Sequence, residues 1–325
     1  MDFNSIVGHE NSIEILRRAI RNKSISHSYI FEGEEGLGKM TVAKIFAKTL
    51  LCIEDLDKPC NECISCKKFD EGNHPDFILV EPIKDLIRVE QIEEIIDNIQ
   101  KLPFESERIV YIIDDSHLMN AASENKFLMT MEEPPSYVNF ILVTHQINRH
   151  LPTTISRGQR VKFFPLGNNE LIKLLIKKYK ADIDEAELIA SISMGNVGRA
   201  ISLLKNEEFF HIRKETISII DKILKGDETK AFSSFEFFNK NKDHIDVIFD
   251  IISLYFRDLI IYKETGNEDL IINKDMINII STETFVDFCK INDIIGKVQQ
   301  TKDNVRNNIN FQLSIENLLL NMGGI

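Results

Sequence analysis

The chain has no run of ~18 uninterrupted apolar residues, the length that a membrane-spanning helix requires, so a span is not expected. Its start, Met1-Asp2-Phe3-Asn4-Ser5, lacks the basic stretch and apolar run of a secretory signal. Positive charge is in deficit: 39 Lys and Arg against 51 Asp and Glu give a net charge of −12. Such a field repels nucleic acid, so contact with DNA requires a local basic patch or partner chains, and protein partners fit the balance better. Cysteines number only five. In the cytoplasmic setting that these absences predict, thiols stay reduced, which argues against a disulfide framework and toward a metal or reactive thiols. Internal repeats and low-complexity tracts are also missing.

What is present is an ordinary globular composition, 43% hydrophobic and 28% charged, over 325 residues. That length suits two or three domains at ~100 to 200 residues each. The first half alternates nearly continuous apolar runs at 28–32, 77–81, 109–113, 139–143 and 161–164 with helical patterns. Continuous runs predict strands buried on both faces of a parallel sheet. Between them, Val89, Ile92, Ile95, Ile96 and Ile99 recur at helical spacing within 88–100. Alternation of this kind predicts a doubly wound α/β domain over 1–165. Beyond it the strand signals stop: 166–205 reads as a small helical domain, and 206–325, with Ile245, Ile248, Phe249 and Ile252 on one stripe, as a third, all-helical domain.

Gly33-Glu34-Glu35-Gly36-Leu37-Gly38-Lys39-Met40 follows a predicted strand and opens a predicted helix. Glycines let successive backbone N–H groups and the helix N-terminus face a phosphate, and Lys39 adds a point charge. The motif normally ends in Ser or Thr, whose hydroxyl ligates Mg²⁺; here Met40 stands there, and Thr41 is rotated ~100° around the helix. ATP or ADP binding is compatible with the cradle, whereas Mg²⁺ binding is doubtful. The alternative is a tight strand-to-helix turn that merely needs glycine. A second half-site is supplied by 109–113 followed by Asp114 and Asp115: the first acid suits a metal, and the second suits polarising an attacking water. Hydrolysing sites of this class usually carry Glu at the second position, and an acidic loop capping a strand is the plainer reading.

Cys52, Cys60, Cys63 and Cys66 carry two overlapping C-x-x-C spacings. Four thiolates close a tetrahedral shell, so a zinc held there is structural, with redox chemistry the weaker alternative. Cys289, alone in the third domain, is expected to be a small buried residue.

The constellation resembles the AAA+ subunits of the bacterial DNA polymerase III clamp loader. The matching stretches are Ile25-Ser26-His27-Ser28-Tyr29-Ile30-Phe31-Glu32-Gly33, the four-cysteine insertion, Lys126 to Pro135, Phe140-Ile141-Leu142-Val143-Thr144 and Thr154-Ile155-Ser156-Arg157. The resemblance implies a nucleotide-binding domain, a lid and a collar, with Gly33, Gly36, Gly38, Lys39, Thr41, Asp114, Asp115 and Thr144 at the nucleotide site. Met40, Asp115 and Gly198, the last on the family's sensor-arginine position, depart together from the hydrolysing gamma/tau pattern. Arg199 falls one residue late and would face elsewhere. That combination is similar to the delta-prime type. Ser156-Arg157 keeps the Ser-Arg of the family's Ser-Arg-Cys motif, with Gly158 in place of cysteine, and implies that Arg157 acts as an arginine finger in a neighbour's ATP site. The implied partners are gamma/tau and delta subunits, with the sliding clamp and primed DNA reached through the complex. A chain weak or inactive as an ATPase follows. The alternatives are an ATP-hydrolysing gamma/tau-type motor, against which an end at Ile325 speaks since tau-like chains extend further, and an unrelated AAA+ remodelling protein, against which the cysteines speak.

Overall fold

Five short strands form one wholly parallel sheet in the order β2-β3-β4-β1-β5. They are β1 (Ser28–Glu32), β2 (Phe77–Val80), β3 (Ile109–Ile113), β4 (Val138–Thr144) and β5 (Gln159–Lys162). The computed structural model describes residues 2–54, 56–227 and 233–323. Every residue of β1, β3 and β4 is buried, as their central apolar runs require, and the polar Ser28, Glu32, Asn139 and Thr144 are buried with them. Successive side chains serve opposite faces. Tyr29, Phe31, Ile112, Ile141 and Val143 pack on one face with Val42, Ile45 and Phe46 of helix α2 (Lys39–Leu51) and Leu16 of α1 (Glu10–Arg21). Ile30, Tyr111, Phe140 and Leu142 pack on the other with Ile92 and Ile95 of α4 (Val89–Asn98) and Phe127 and Met131 of α5 (Ala121–Glu132). Helix α3 (Ile64–Asp70) lies between α2 and β2 in sequence, and α6 (Pro152–Arg157) between β4 and β5. The fold class is therefore the doubly wound α/β one expected.

One strand differs from expectation. Val161 to Phe164 gives way to Gln159–Lys162, whose register pairs Tyr29 with Gln159 and Glu32 with Lys162. An edge strand has a single partner and needs only one apolar anchor, here Val161, so its polar start carries no strand signal. Phe163 still donates its N–H to Glu32 O at 2.8 Å. Phe164 is exposed.

By internal contacts the chain forms two units, residues 1–166 with 196–198, and residues 167–195 with 199–325. The second contains no strand among the described residues. Helices α7 (Asn168–Tyr179) and α8 (Ile183–Ser193) pack together, and the helix Glu207–Leu224 packs on Ile245–Thr265, which packs on Phe288–Arg306. The expected stripe extends along Ile245, Ile248, Phe249, Ile252, Tyr255, Phe256 and Leu259, all buried. Arg213 is buried there and binds Asn273 and Asp275. Cys289 corrects an expectation: it is exposed. The buried face of its helix runs through Ile291, Ile294, Val298 and Thr301, and residue 289 lies outside that stripe. No helix among the described residues is long and apolar enough to cross a membrane.

Candidate functional site

All strands being parallel, the segments that follow β1, β3 and β4 emerge at one edge of the sheet, where ligands of such sheets are held. The loop after β1 is Gly33 to Gly38. Gly36 and Gly38 adopt φ of +78° and +87°, and Gly38 stands at the N-cap of α2. Lys39 is buried and donates from Nζ to the carbonyls of Gly33 and Glu34, each at 2.6 Å. Burial pulls its pKa down, and Asp115 and Asp114 oppose that pull. An anion entering the loop would compete with two carbonyls for this ammonium. Met40 packs against the apolar cluster beneath the sheet, and with Thr41 it lines a groove of 610 Å³ floored by Phe69, Phe77 and Leu79.

Residues 196–198 close over the same loop. Asn196 donates from Nδ2 to Glu35 O at 2.6 Å, and the Gly198 N–H donates to Gly36 O at 2.8 Å. A Cβ at position 198 would stand 2.8 Å from Gly36 Cα, so no side chain, an arginine included, fits without displacing the loop. Arg199 belongs to the second unit and pairs there with Asp250.

After β3, Asp114 takes the N–H of Asp115 on Oδ1 at 3.0 Å, and burial raises its pKa. Asp115 occupies the left-handed region at φ +41°. Its Oδ1 meets His145 Nδ1 at 3.2 Å and lies 3.9 Å from His117 Nδ1. Burial drives His117 down to about 4, with His145 adding to the fall. Thr144, ending β4, is fully buried, and its hydroxyl oxygen accepts from Gln146 N at 3.1 Å. Thus Lys39, Asp114, Asp115 and Thr144 come together around the loop's edge of the sheet. The two histidines beside Asp115 escaped the sequence reading, because 28 residues separate them and neither sits in a recognisable spacing.

Arg157 ends α6. Its Nη1 donates to Thr153 O at 2.9 Å and its Nη2 pairs with Glu132. A buried chain that sequence reasoning also missed fixes this helix. Ser116 Oγ donates to Val143 O and meets His150 Nε2 at 3.1 Å, and His150 Nδ1 meets Glu124 Oε1 at 3.0 Å. The same oxygen accepts the Leu151 N–H at 3.0 Å, immediately before Pro152 starts α6. Ser, His and Glu in this order are not a nucleophilic triad here, since all three are buried and the Ser116 proton is committed to a carbonyl. Gly158 follows Arg157, and a Cβ there would meet Ile30 Cγ1 at 2.5 Å.

Cys52, Cys60, Cys63 and Cys66 bring their sulfurs within 4.8 Å of one another. Cys52 and Cys63 are 4.0 Å apart, and Cys60 and Cys66 3.9 Å. Zn–S bonds of about 2.3 Å in a tetrahedron place sulfurs about 3.8 Å apart, so the set fits zinc. Backbone N–H groups of Cys60, Cys63 and Cys66 point at Cys52, Cys60 and Cys63 sulfurs at 3.3 to 3.5 Å. Burial raises the Cys66 thiol, whereas at Cys63 the N–H groups of Ile53 and Cys66 overcome burial and lower it to about 6. The segment is fastened by Lys48, which binds Asn61 and Asp70, and by Ser65, which donates to Leu51 O.

Residues 8–167 match the family model described as DNA polymerase III, delta subunit, and residues 207–323 match its C-terminal counterpart. The DNA polymerase III subunit delta' of Bacillus subtilis (strain 168) is 32% identical over 315 residues, 95% of this chain and 94% of its own length. The tau subunit of the same organism is also 32% identical, over 87% of this chain and 53% of its own length. A crystal structure of a DNA polymerase III gamma subunit-related protein from Thermotoga maritima aligns with 96% of this chain and 99% of its own, at 18% identity and a TM-score of 0.42.

Proposed function

This chain belongs to the family of DNA polymerase III subunits that includes delta-prime and gamma/tau, and from that premise we propose that it serves as a delta-prime-type member of the clamp loader. In this reading it is a scaffold that hydrolyses ATP weakly or not at all, acts in the cytoplasm, and lends Arg157 to the ATP site of a neighbouring subunit. The helices beyond residue 206 join gamma/tau and delta subunits in a collar, and the sliding clamp and primed DNA are met through the complex. The observation that carries the reading is the seating of Gly198 on Gly36, which leaves no room for a sensor arginine beside a loop whose lysine is bound to its own carbonyls. Met40 and Asp115 weaken the same apparatus at two further points.

Arg157 would leave Glu132 to enter a partner's site and neutralise charge developing on a γ-phosphate, an effect worth ~10³ to 10⁵ in rate. Its position at the end of a six-residue helix held by Glu124 supports that use. The four cysteines would hold a structural zinc, which closes the loop after α2 and leaves no open position for chemistry. Gly33, Gly36, Gly38 and Lys39 would still cradle the phosphates of ATP or ADP.

The test is reconstitution with gamma-type and delta subunits. Arg157→Ala is expected to lower clamp-dependent ATP turnover by ~10³-fold for the site it serves, with assembly intact. Unchanged turnover overturns the finger assignment. The competing motor reading rests on the three glycines and Lys39: turnover by the purified chain that survives Arg157→Ala and vanishes with Lys39→Ala would establish it and remove the scaffold.

A further inference from the structure

The geometry points to a second metal site in the first unit, built by Asp115, His117 and His145 for a divalent ion of the zinc class. β3 and β4 pair in parallel, Ile113 beside Leu142, so the chain leaves both strands at the same edge and turns there. Asp115 projects from the turn after β3, His117 from the short 3₁₀ turn Ser116–Leu118, and His145 from the residue after β4. One ligand atom from each lies within 4.8 Å of the other two.

The distances suit a small ion. Metal–nitrogen and metal–oxygen bonds of about 2.0 to 2.2 Å in a tetrahedron set ligand atoms about 3.3 to 3.6 Å apart. Asp115 Oδ1 stands 3.2 Å from His145 Nδ1 and 3.9 Å from His117 Nδ1, bracketing that spacing, and the Asp115 side chain is half-exposed. Two imidazoles select zinc, cobalt or nickel over magnesium or calcium, which prefer oxygen. The three protein ligands leave a fourth position for water, unlike the closed cysteine set.

A hydrogen bond between Asp115 and His145 accounts for one of these approaches and not for the other. His117 is 5% exposed, and its Nδ1 has no hydrogen-bond partner among the described residues. Buried polar atoms are nearly always satisfied, and this one is aimed at the side on which Asp115 and His145 converge. A metal ion on Nδ1 satisfies it. The outer contact is also in place: His145 Nε2 lies 3.0 Å from the Gln146 amide, whose oxygen and nitrogen are interchangeable by a flip, so that Nε2–H can donate to it while Nδ1 ligates.

The experiment uses the full purified chain, stripped of metal, re-equilibrated with Zn²⁺ or Co²⁺ and desalted. Two equivalents per chain are expected by elemental analysis. His145→Ala and Asp115→Asn, both at partly exposed side chains, should each remove one equivalent and leave far-ultraviolet circular dichroism unchanged. With Co²⁺, that equivalent should show weak ligand-field bands and no sulfur-to-cobalt charge transfer, and it should persist in Cys60→Ser. A single equivalent, abolished by Cys60→Ser and carrying all the charge-transfer intensity, overturns the proposal. So does a second equivalent that survives both His145→Ala and Asp115→Asn. Failure of the cysteine site alone looks different: the charge-transfer band is then absent while the equivalent sensitive to His145 remains.

Discussion

The Glu283 side chain is fully buried, receives the Tyr255 hydroxyl and faces Asp221, so burial and a second carboxylate raise its pKa from 4.5 to about 7. A carboxyl whose folded value lies above its unfolded one stabilises the fold in its protonated form. That contribution is complete below pH 4.5 and is lost as pH rises through 7. At about 1.4 kcal/mol per pH unit, the interval corresponds to about 3 kcal/mol. Thermal unfolding of the second unit should therefore fall between pH 5 and pH 8, and Glu283→Gln should raise its midpoint at pH 8 and flatten the dependence. Residues of this kind were invisible in the sequence, because Tyr255, Asp221 and Glu283 become neighbours only when three separate segments pack. Gly198 was half legible: its departure from the family arginine could be read, whereas its reason, a backbone contact with Gly36 across 162 positions, could not.

Among elements, the interior strands and the apolar edge strand β2 were legible, and the polar edge strand β5 was not. β1, β3 and β4 announce themselves because both faces are covered and their centres, 29–31, 109–113 and 140–143, are continuous apolar runs. β5 carries Gln159, Arg160 and Lys162 toward solvent, and only its hydrogen bonds with β1 define where it begins. α6 depends on groups outside itself. Glu124→Ala would leave the Leu151 N–H and His150 without their acceptor, at about 1 to 3 kcal/mol for each buried group. Reconstituted turnover should fall with it, as Arg157 loses its fixed mounting, while nucleotide binding to the isolated chain should not change. A Glu124→Ala protein that matches the wild type in both stability and turnover would refute this dependence. The cysteine cluster was legible from spacing alone, whereas its fastening by Lys48 and Ser65 was not, since a buried lysine is the exception rather than the rule.

At the scale of the whole molecule, two units with separate cores should melt as separate transitions in calorimetry, each addressed by a different perturbation. Metal removal by a chelator should lower the midpoint of the first unit, which contains the cysteines, and expose 52–66 to protease. Glu283→Gln should move only the second. A chelator effect confined to the second transition would contradict the assignment of metal to these residues. The charge of −12 acts over the same scale and repels nucleic acid, so any contact with it would require a local basic patch or basic partners.

Gly158 and Ile30 together set a mutational constraint. The glycine that replaces the motif's cysteine lies against a fully buried isoleucine on β1, with 2.5 Å between the absent Cβ and Ile30 Cγ1. The two positions are therefore one choice made twice. Restoring the motif by Gly158→Cys should cost about 1 to 3 kcal/mol by overpacking, and combining it with Ile30→Ala should cost less than the sum of the two single changes. Within a set of relatives, a side chain after the Ser-Arg pair and a large residue on β1 should then exclude each other, so that Gly158 reflects the packing of Ile30 and carries no information about whether Arg157 is used.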